Sequence, residues 1–216
     1  MKPVLFARIG FLSSIALSFV IDGNSVIGFI LAVLPQLLIV AAFYMFAKSY
    51  QKTSIFINYV ISFACSLVMN IVIIFTVKKG GTYLMQKFGN SNEKASDMTA
   101  FLEDLTKKAQ SDPEFAQEII KSFLTTEFIG LTSAVGILFI FVVLFSSFSY
   151  KALGKVTGVK NLVLASTLLL VSLPTLIIFG LGFLLMLVAI ILVIISMFQL
   201  DEKLVSEGKN HTNPMM

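Results

Sequence analysis

Six runs of nearly uninterrupted apolar residues lie along the chain, at 4–21, 25–46, 55–77, 128–147, 157–173 and 175–199. A helix needs about 20 such residues to cross a hydrocarbon layer roughly 30 Å thick. In lipid the backbone must satisfy its own hydrogen bonds, which leaves helices or closed barrels. Barrel strands alternate apolar and polar positions over about ten residues, whereas the stretch 177–198 is apolar almost throughout. The pattern therefore predicts an all-α polytopic transmembrane helix bundle of about six spans.

Two of the runs read in more than one way. The first begins behind Lys2 and offers Ala16-Leu17-Ser18 as a poor cleavage site, so it resembles a signal peptide. Arg8 interrupts its apolar stretch, which favours a retained span. The fifth and sixth are separated only by Pro174. Proline ends or kinks the helix before it, so a tight hairpin at 172–175 is expected. The alternative is five spans, the last of them long and bent.

Between the third and fourth runs the period changes. Met98, Phe101, Leu102 and Leu105 recur at helical spacing, as do Phe115, Ile119 and Phe123. Asp112-Pro113-Glu114 is a helix start: a capping acid, a proline in the first turn and an acid facing the helix dipole. Two amphipathic helices are predicted, at about 95–109 and 113–125. They are expected to pack on each other and on the membrane surface, or to form a cap for a partner or substrate. Gly80-Gly81 is read as the break that separates them from the third span. The resulting division is 1–77, 78–127, 128–200 and a polar tail 201–216.

Composition agrees with the pattern. Hydrophobic residues make up 57% of the 216 and charged residues 13%, too few to cover the apolar surface of a soluble globule. Mean hydropathy is +0.93. Disordered, collagenous and disulfide-scaffold classes are excluded. Charge then sets orientation. Nine basic residues (Lys2, Arg8, Lys48, Lys52, Lys151, Lys155, Lys160, Lys203, Lys209) fall on one side with three acids. The other side holds Asp22 and the 78–127 segment, where seven lysines meet eight acids. The positive-inside rule places both termini in the cytoplasm and 78–127 outside, in a multi-pass protein of the cell membrane. The pI near 9.1 is accounted for by this asymmetry and calls for no nucleic acid. Expected partners are the lipid bilayer and either a second copy or another membrane protein.

Ser54, Asn58, Ser62, Ser66 and Asn70 recur every fourth residue of the third span. Each step drifts by roughly 40°, so the five form a polar ribbon on one broad side. Intramembrane amides need partners. The ribbon is either glue between helices or the lining of a hydrophilic path. In the second span Gly28, Ala32 and Gln36 share the same spacing, and Pro35 frees a carbonyl one turn back. Pro35 and Gln36 are thus a candidate hinge, or else a packing kink. Gly130, Thr132, Ser133, Ala134 and Gly136 open the fourth span with small residues suited to close helix packing. Cys65 reads as a small apolar residue.

The inventory excludes much chemistry. No Asp, Glu, Lys or His lies mid-span, which disfavours proton-coupled carriage. The single His211 and single Cys65 supply no metal motif, and no hydrolase or phosphate-loop motif occurs. No enzyme activity, cofactor or metal is expected. Two function classes remain: a protein acting through helix packing with itself or a membrane partner, and a small permease or channel for a neutral or weakly polar solute or ion.

Two similarities complete the reading. Ser49-Tyr50 with Lys52, Ser54 and Asn58 is echoed by Ser149-Tyr150 with Lys155, Thr157 and Asn161, which suggests an internal repeat of the kind found in transporters. The segment 153–162, followed by Ile178-Phe179-Gly180-Leu181-Gly182-Phe183 and a helix ending in Phe198-Gln199-Leu200, resembles a prokaryotic integral membrane family known as domain of unknown function 996. The resemblance is best over about 145–200 and does not reach the 85–125 insert. It implies a multi-span membrane protein without an assigned activity, and carries over no catalytic residue.

Overall fold

The computed structural model describes residues 3–20, 26–89, 98–176 and 180–200. Among these the protein is all-helical, without strands. The helices are α1 (Pro3–Val20), α2 (Val26–Ser49), α3 (Thr53–Phe88), α4 (Met98–Ser111), α5 (Pro113–Phe123), α6 (Thr126–Thr157), α7 (Lys160–Thr175) and α8 (Leu181–Gln199). Three segments, Thr53–Phe88, Glu127–Thr157 and Leu181–Gln199, are long and apolar enough to cross a membrane. Contacts divide the chain into two units, Met1–Ser66 with Phe139–Met216, and Leu67–Leu138.

In the first unit one apolar cluster joins six helix ends. It draws Val4 and Ala7 from the start of α1, Phe43 and Phe46 from the end of α2, and Ile55 from the start of α3. Tyr150 and Leu153 come from the end of α6, Leu162 from the start of α7, and Met197 and Leu200 from the end of α8. Starts and ends meeting in one cluster require the helices to run in alternating directions. Arg8, Lys48, Lys52, Lys151, Lys155 and Lys160 belong to these same ends.

Close backbone approaches fix two hairpins. At Gly10 an added Cβ would stand 2.5 Å from Ile39 Cγ1 and 2.8 Å from Pro35 O, so α1 lies directly on α2. At Gly182 it would collide with Ser172 O and stand 2.5 Å from Leu176 N, so the start of α8 rests on the end of α7. At the far end of that pair Asn161 Nδ2 donates to Gln199 Oε1 at 3.1 Å. The fifth and sixth apolar runs are therefore two antiparallel helices, not one bent helix. The turn falls later than 172–175: α7 runs through Pro174 to Thr175, and Gly180, at φ +71°, caps the start of α8. A proline in a last helical turn still takes up its own helical φ, which is why it does not end the helix at once.

Arg8 closes the cluster. Its Nε donates to Met197 O at 2.9 Å, and one Nη donates to Phe198 O at 3.0 Å and to Leu200 O at 3.3 Å. The guanidinium lies 5.3 Å from the Phe198 ring centroid. The last carbonyls of a helix lack intrahelical partners and carry the negative end of its dipole. The charge that interrupts the first apolar run is thus the cap of α8. Val4, Ala7 and Gly10 are buried, so α1 is an integral wall of this unit.

The second unit is built on the C-terminal part of α3, from Leu67 on. Gly80-Gly81 does not break the helix, contrary to expectation; α3 continues to Phe88. An added Cβ at Gly80 would lie 3.4 Å from Phe123 and 3.6 Å from Phe128. Both rings stand at ordinary contact distance from that position, and the glycine costs the helix about 1 kcal/mol in propensity. The extension provides the surface on which the predicted amphipathic helices settle. Leu84, Phe101 and Leu105 are buried together, with Met85, Phe88, Phe115, Ile119 and Phe123 packed around them. Phe101 and Leu105 are buried and Phe115 and Ile119 half-buried as expected, α4 and α5 packing on each other and on α3, while Leu102, Ile120 and Leu124 stay exposed. Lys79 pairs with Glu127, and Lys87 Nζ reaches Ser122 Oγ at 2.6 Å.

Asp112 caps α5, accepting from Glu114 N at 3.0 Å and Phe115 N at 3.1 Å. Asp112→Ala is expected to cost α5 about 1 kcal/mol. Amide exchange at residues 114–116 should accelerate roughly fivefold, the equivalent of that energy, while exchange in α1 stays unchanged.

The fourth and fifth runs also shift their bounds. α6 continues ten residues past 147 to Thr157. Gly158, at φ +73°, then reverses the chain into α7. The Ser-Tyr echo does not survive as a structural repeat. Tyr50 directly precedes the left-handed Gln51, whereas Tyr150 lies eight residues before the left-handed Gly158. The matched residues thus occupy positions two helical turns apart.

Candidate functional site

Three serines in the C-terminal half of α6 point in different directions, because consecutive helical residues turn by about 100°. Ser146 Oγ meets Ser62 Oγ of α3 at 2.6 Å. Ser147 Oγ donates to Ser166 O of α7 at 2.8 Å and lies 3.0 Å from Ser166 Oγ. Ser149 Oγ donates to Ile55 O of α3 at 2.6 Å. Ser147, Ser149 and Ser166 have no solvent exposure. α6 is therefore the hub that ties α3 and α7 together. The sequence carries the signal as Ser146-Ser147-Phe148-Ser149, but an apolar run that ends at 147 leaves Ser149 outside it.

Beside the hub, within the first unit, lies a cavity of about 220 Å³. Its polar wall is Ser14 of α1, Gln36 of α2, Tyr59, Ser62 and Ser66 of α3, and Ser146 of α6. Phe11, Ile39, Phe63 and Val142 form the apolar remainder. Among the described residues no charged side chain lines it. Ser62 is 4% exposed and also donates to Val142 O at 3.0 Å. Tyr59 is held by stacking on Phe43, with centroids 4.1 Å apart and planes 13° apart. Ser14 Oγ is shielded from solvent and has no hydrogen-bond partner among the described residues.

The predicted ribbon thus divides. Ser62 and Ser66 stand on the cavity wall. Ser54 is exposed at the start of α3, and Asn58 and Asn70 are half-buried away from the wall. A step of four residues drifts steadily around the helix, which is why five positions do not share one neighbour. Of the candidate hinge, Gln36 lines the cavity, while Pro35 is buried and α2 passes through it unbroken. Gly28 and Ala32 lie outside the described side chains. Ser14, Tyr59 and Ser146 are wall residues that periodicity within one helix could not reveal, because they join the site only through packing. Ser62→Ala should remove its bonds to Ser146 and Val142 O, leaving the Ser149–Ile55 tie, and cost roughly 0.6–2 kcal/mol, the range for polar contacts between helices in lipid. Unfolding in mixed micelles measures this.

The small residues at the start of α6 behave differently from expectation. Within this chain they are not a close-packing face. Thr132, Ser133 and Gly136 are exposed, together with Ile129, Gly130 and Ile137. A Cβ added at Gly130 or Gly136 would meet nothing within 4 Å.

The fold and cavity define an all-helical protein with helices of membrane-spanning length and an uncharged polar pocket among them. Compared with protein-family models, curated proteins and solved structures, the chain matches none.

Proposed function

We propose that this chain is a non-enzymatic integral membrane protein that acts by packing α6 against a second copy or another membrane protein. The observation that carries this reading is the outward face of α6. Gly130, Ser133 and Gly136 are turned away from the rest of the second unit, flanked by Ile129 and Ile137. Lipid tails gain nothing from glycine, and glycine weakens a helix by about 1 kcal/mol. A neighbouring helix does gain, because small residues let two backbones approach. Crosslinking in native membranes should trap a dimer or a co-purifying membrane protein. A chain that stays monomeric, with no partner after crosslinking, speaks against the reading.

The accompanying topology is six crossings of the cell membrane with both termini cytoplasmic and α4–α5 outside. Its support is the set of six basic positions at the helix ends that share one cluster, together with the positive-inside rule. Reporter fusions at residue 105 and at the C-terminus should report opposite sides; the same side for both removes an odd number of crossings. A second reading, a small permease or channel for a neutral or weakly polar solute, is favoured by the uncharged cavity. The resemblance to domain of unknown function 996 is compatible with either.

A further inference from the structure

We infer that the cavity between α1, α2, α3 and α6 is a binding site for a small, neutral, hydrogen-bonding solute, whether or not that solute crosses the membrane. Size comes first. About 220 Å³ holds roughly seven waters at about 30 Å³ each, or a solute of some six to ten non-hydrogen atoms.

Chemistry comes next. Gln36 brings an amide, Tyr59 a phenol, and Ser14, Ser62, Ser66 and Ser146 hydroxyls, from four different helices. A hydroxyl has one donor and two acceptor sites, so the Ser62–Ser146 pair still has capacity for a guest after its bonds to each other and to Val142 O. The Ser14 hydroxyl, buried without a partner, is the group whose state a guest improves. An unmet buried polar group is destabilising, so a guest that supplies it with a partner is favoured. Charge decides the class. With no ionised side chain on the wall among the described residues, a charged guest would be desolvated without a counter-ion, which is far costlier than for a neutral one. Phe11, Ile39, Phe63 and Val142 accommodate a short apolar portion of the same molecule.

The test uses the full chain in proteoliposomes, with Cys65→Ala to clear the background and Ser66→Cys as reporter. A small neutral thiol reagent should modify position 66. Lactamide at 100 mM should slow that modification at least fivefold, and lactate, which has the same shape and carries a charge, should leave the rate unchanged. Ser54→Cys, exposed and away from the cavity, should react at one rate throughout. Gln36→Leu combined with Ser14→Ala should abolish protection by lactamide while helix content and Ser54→Cys labelling hold. Equal protection by lactate, protection that survives the double substitution, no protection by lactamide, or a position 66 that no reagent reaches in the folded protein would each overturn the inference.

Discussion

Gly182→Leu is expected to open the α7–α8 hairpin and destabilise the bundle by about 3 kcal/mol or more, at or beyond the upper end for overpacked sites. The reason is the identity of the neighbours. Most crowded positions can be relieved when a flexible side chain moves aside. At Gly182 the atoms that a Cβ would strike are backbone: Ser172 O, Leu176 N at 2.5 Å and Leu176 Cα at 2.8 Å. They belong to the last turn of α7, which is held by Thr175 Oγ1 to Val171 O at 2.9 Å and Leu176 N to Ser172 O at 3.0 Å. Relief requires the two helices to separate, which exposes Gly182 and Ser172, both buried. Mixed-micelle unfolding of Gly182→Leu beside Gly136→Leu separates this from helix propensity alone. Nothing lies within 4 Å of a Cβ at Gly136, so that variant should keep the stability of the monomer.

Arg8→Leu is expected to cost about 2–3 kcal/mol, the range for a hydrogen bond to a charged group, although three carbonyls lose their donor. Met197, Phe198 and Leu200 would be left with the dipole end of α8 uncompensated. Arg8 is half-exposed, and water or headgroups take over some of these bonds, which holds the cost below the sum of three. Arg8→Lys should recover less than half of the loss, because a point charge cannot present the same planar fork. The loss should appear as fraying at residues 196–200 in amide exchange, before any change in α3. Uniform acceleration along the chain would show instead that Arg8 acts on the whole bundle rather than as a cap.

The parts legible in the sequence are those carried by period and by local capping. The six apolar runs mark six helices, and the stripes Phe101–Leu105 and Phe115–Ile119 mark α4 and α5, because burial of one helix face imposes its spacing on the residues. Asp112 and Pro113 fix the start of α5 through groups only two or three residues away. What was not legible depends on contacts distant in sequence. Gly80-Gly81 looks like a helix break until Phe123 and Phe128 are seen packed beside it, on a helix that runs on to Phe88. Arg8 looks like a flaw in a span until the end of α8, nearly 190 residues away, is placed against it. The cavity draws residues from four helices, and the periodicity of α3 alone marked Ser62 and Ser66 while also marking Ser54, which stands in the open. Gly10, which carried no signal in the sequence, and Gly130, which read as a packing surface, have different surroundings. The first meets Ile39 and Pro35 within this chain, and the second meets nothing in it.

That last contrast is where the account is most directly tested. A photoreactive amino acid placed singly at Ile129 and at Ile137, in native membranes, reports what covers the outward face of α6. Leu187 on α8, also exposed, is the comparison. The account predicts protein adducts at 129 and 137, to a second copy or to a partner, and lipid adducts alone at 187. Lipid adducts alone at all three positions would contradict it.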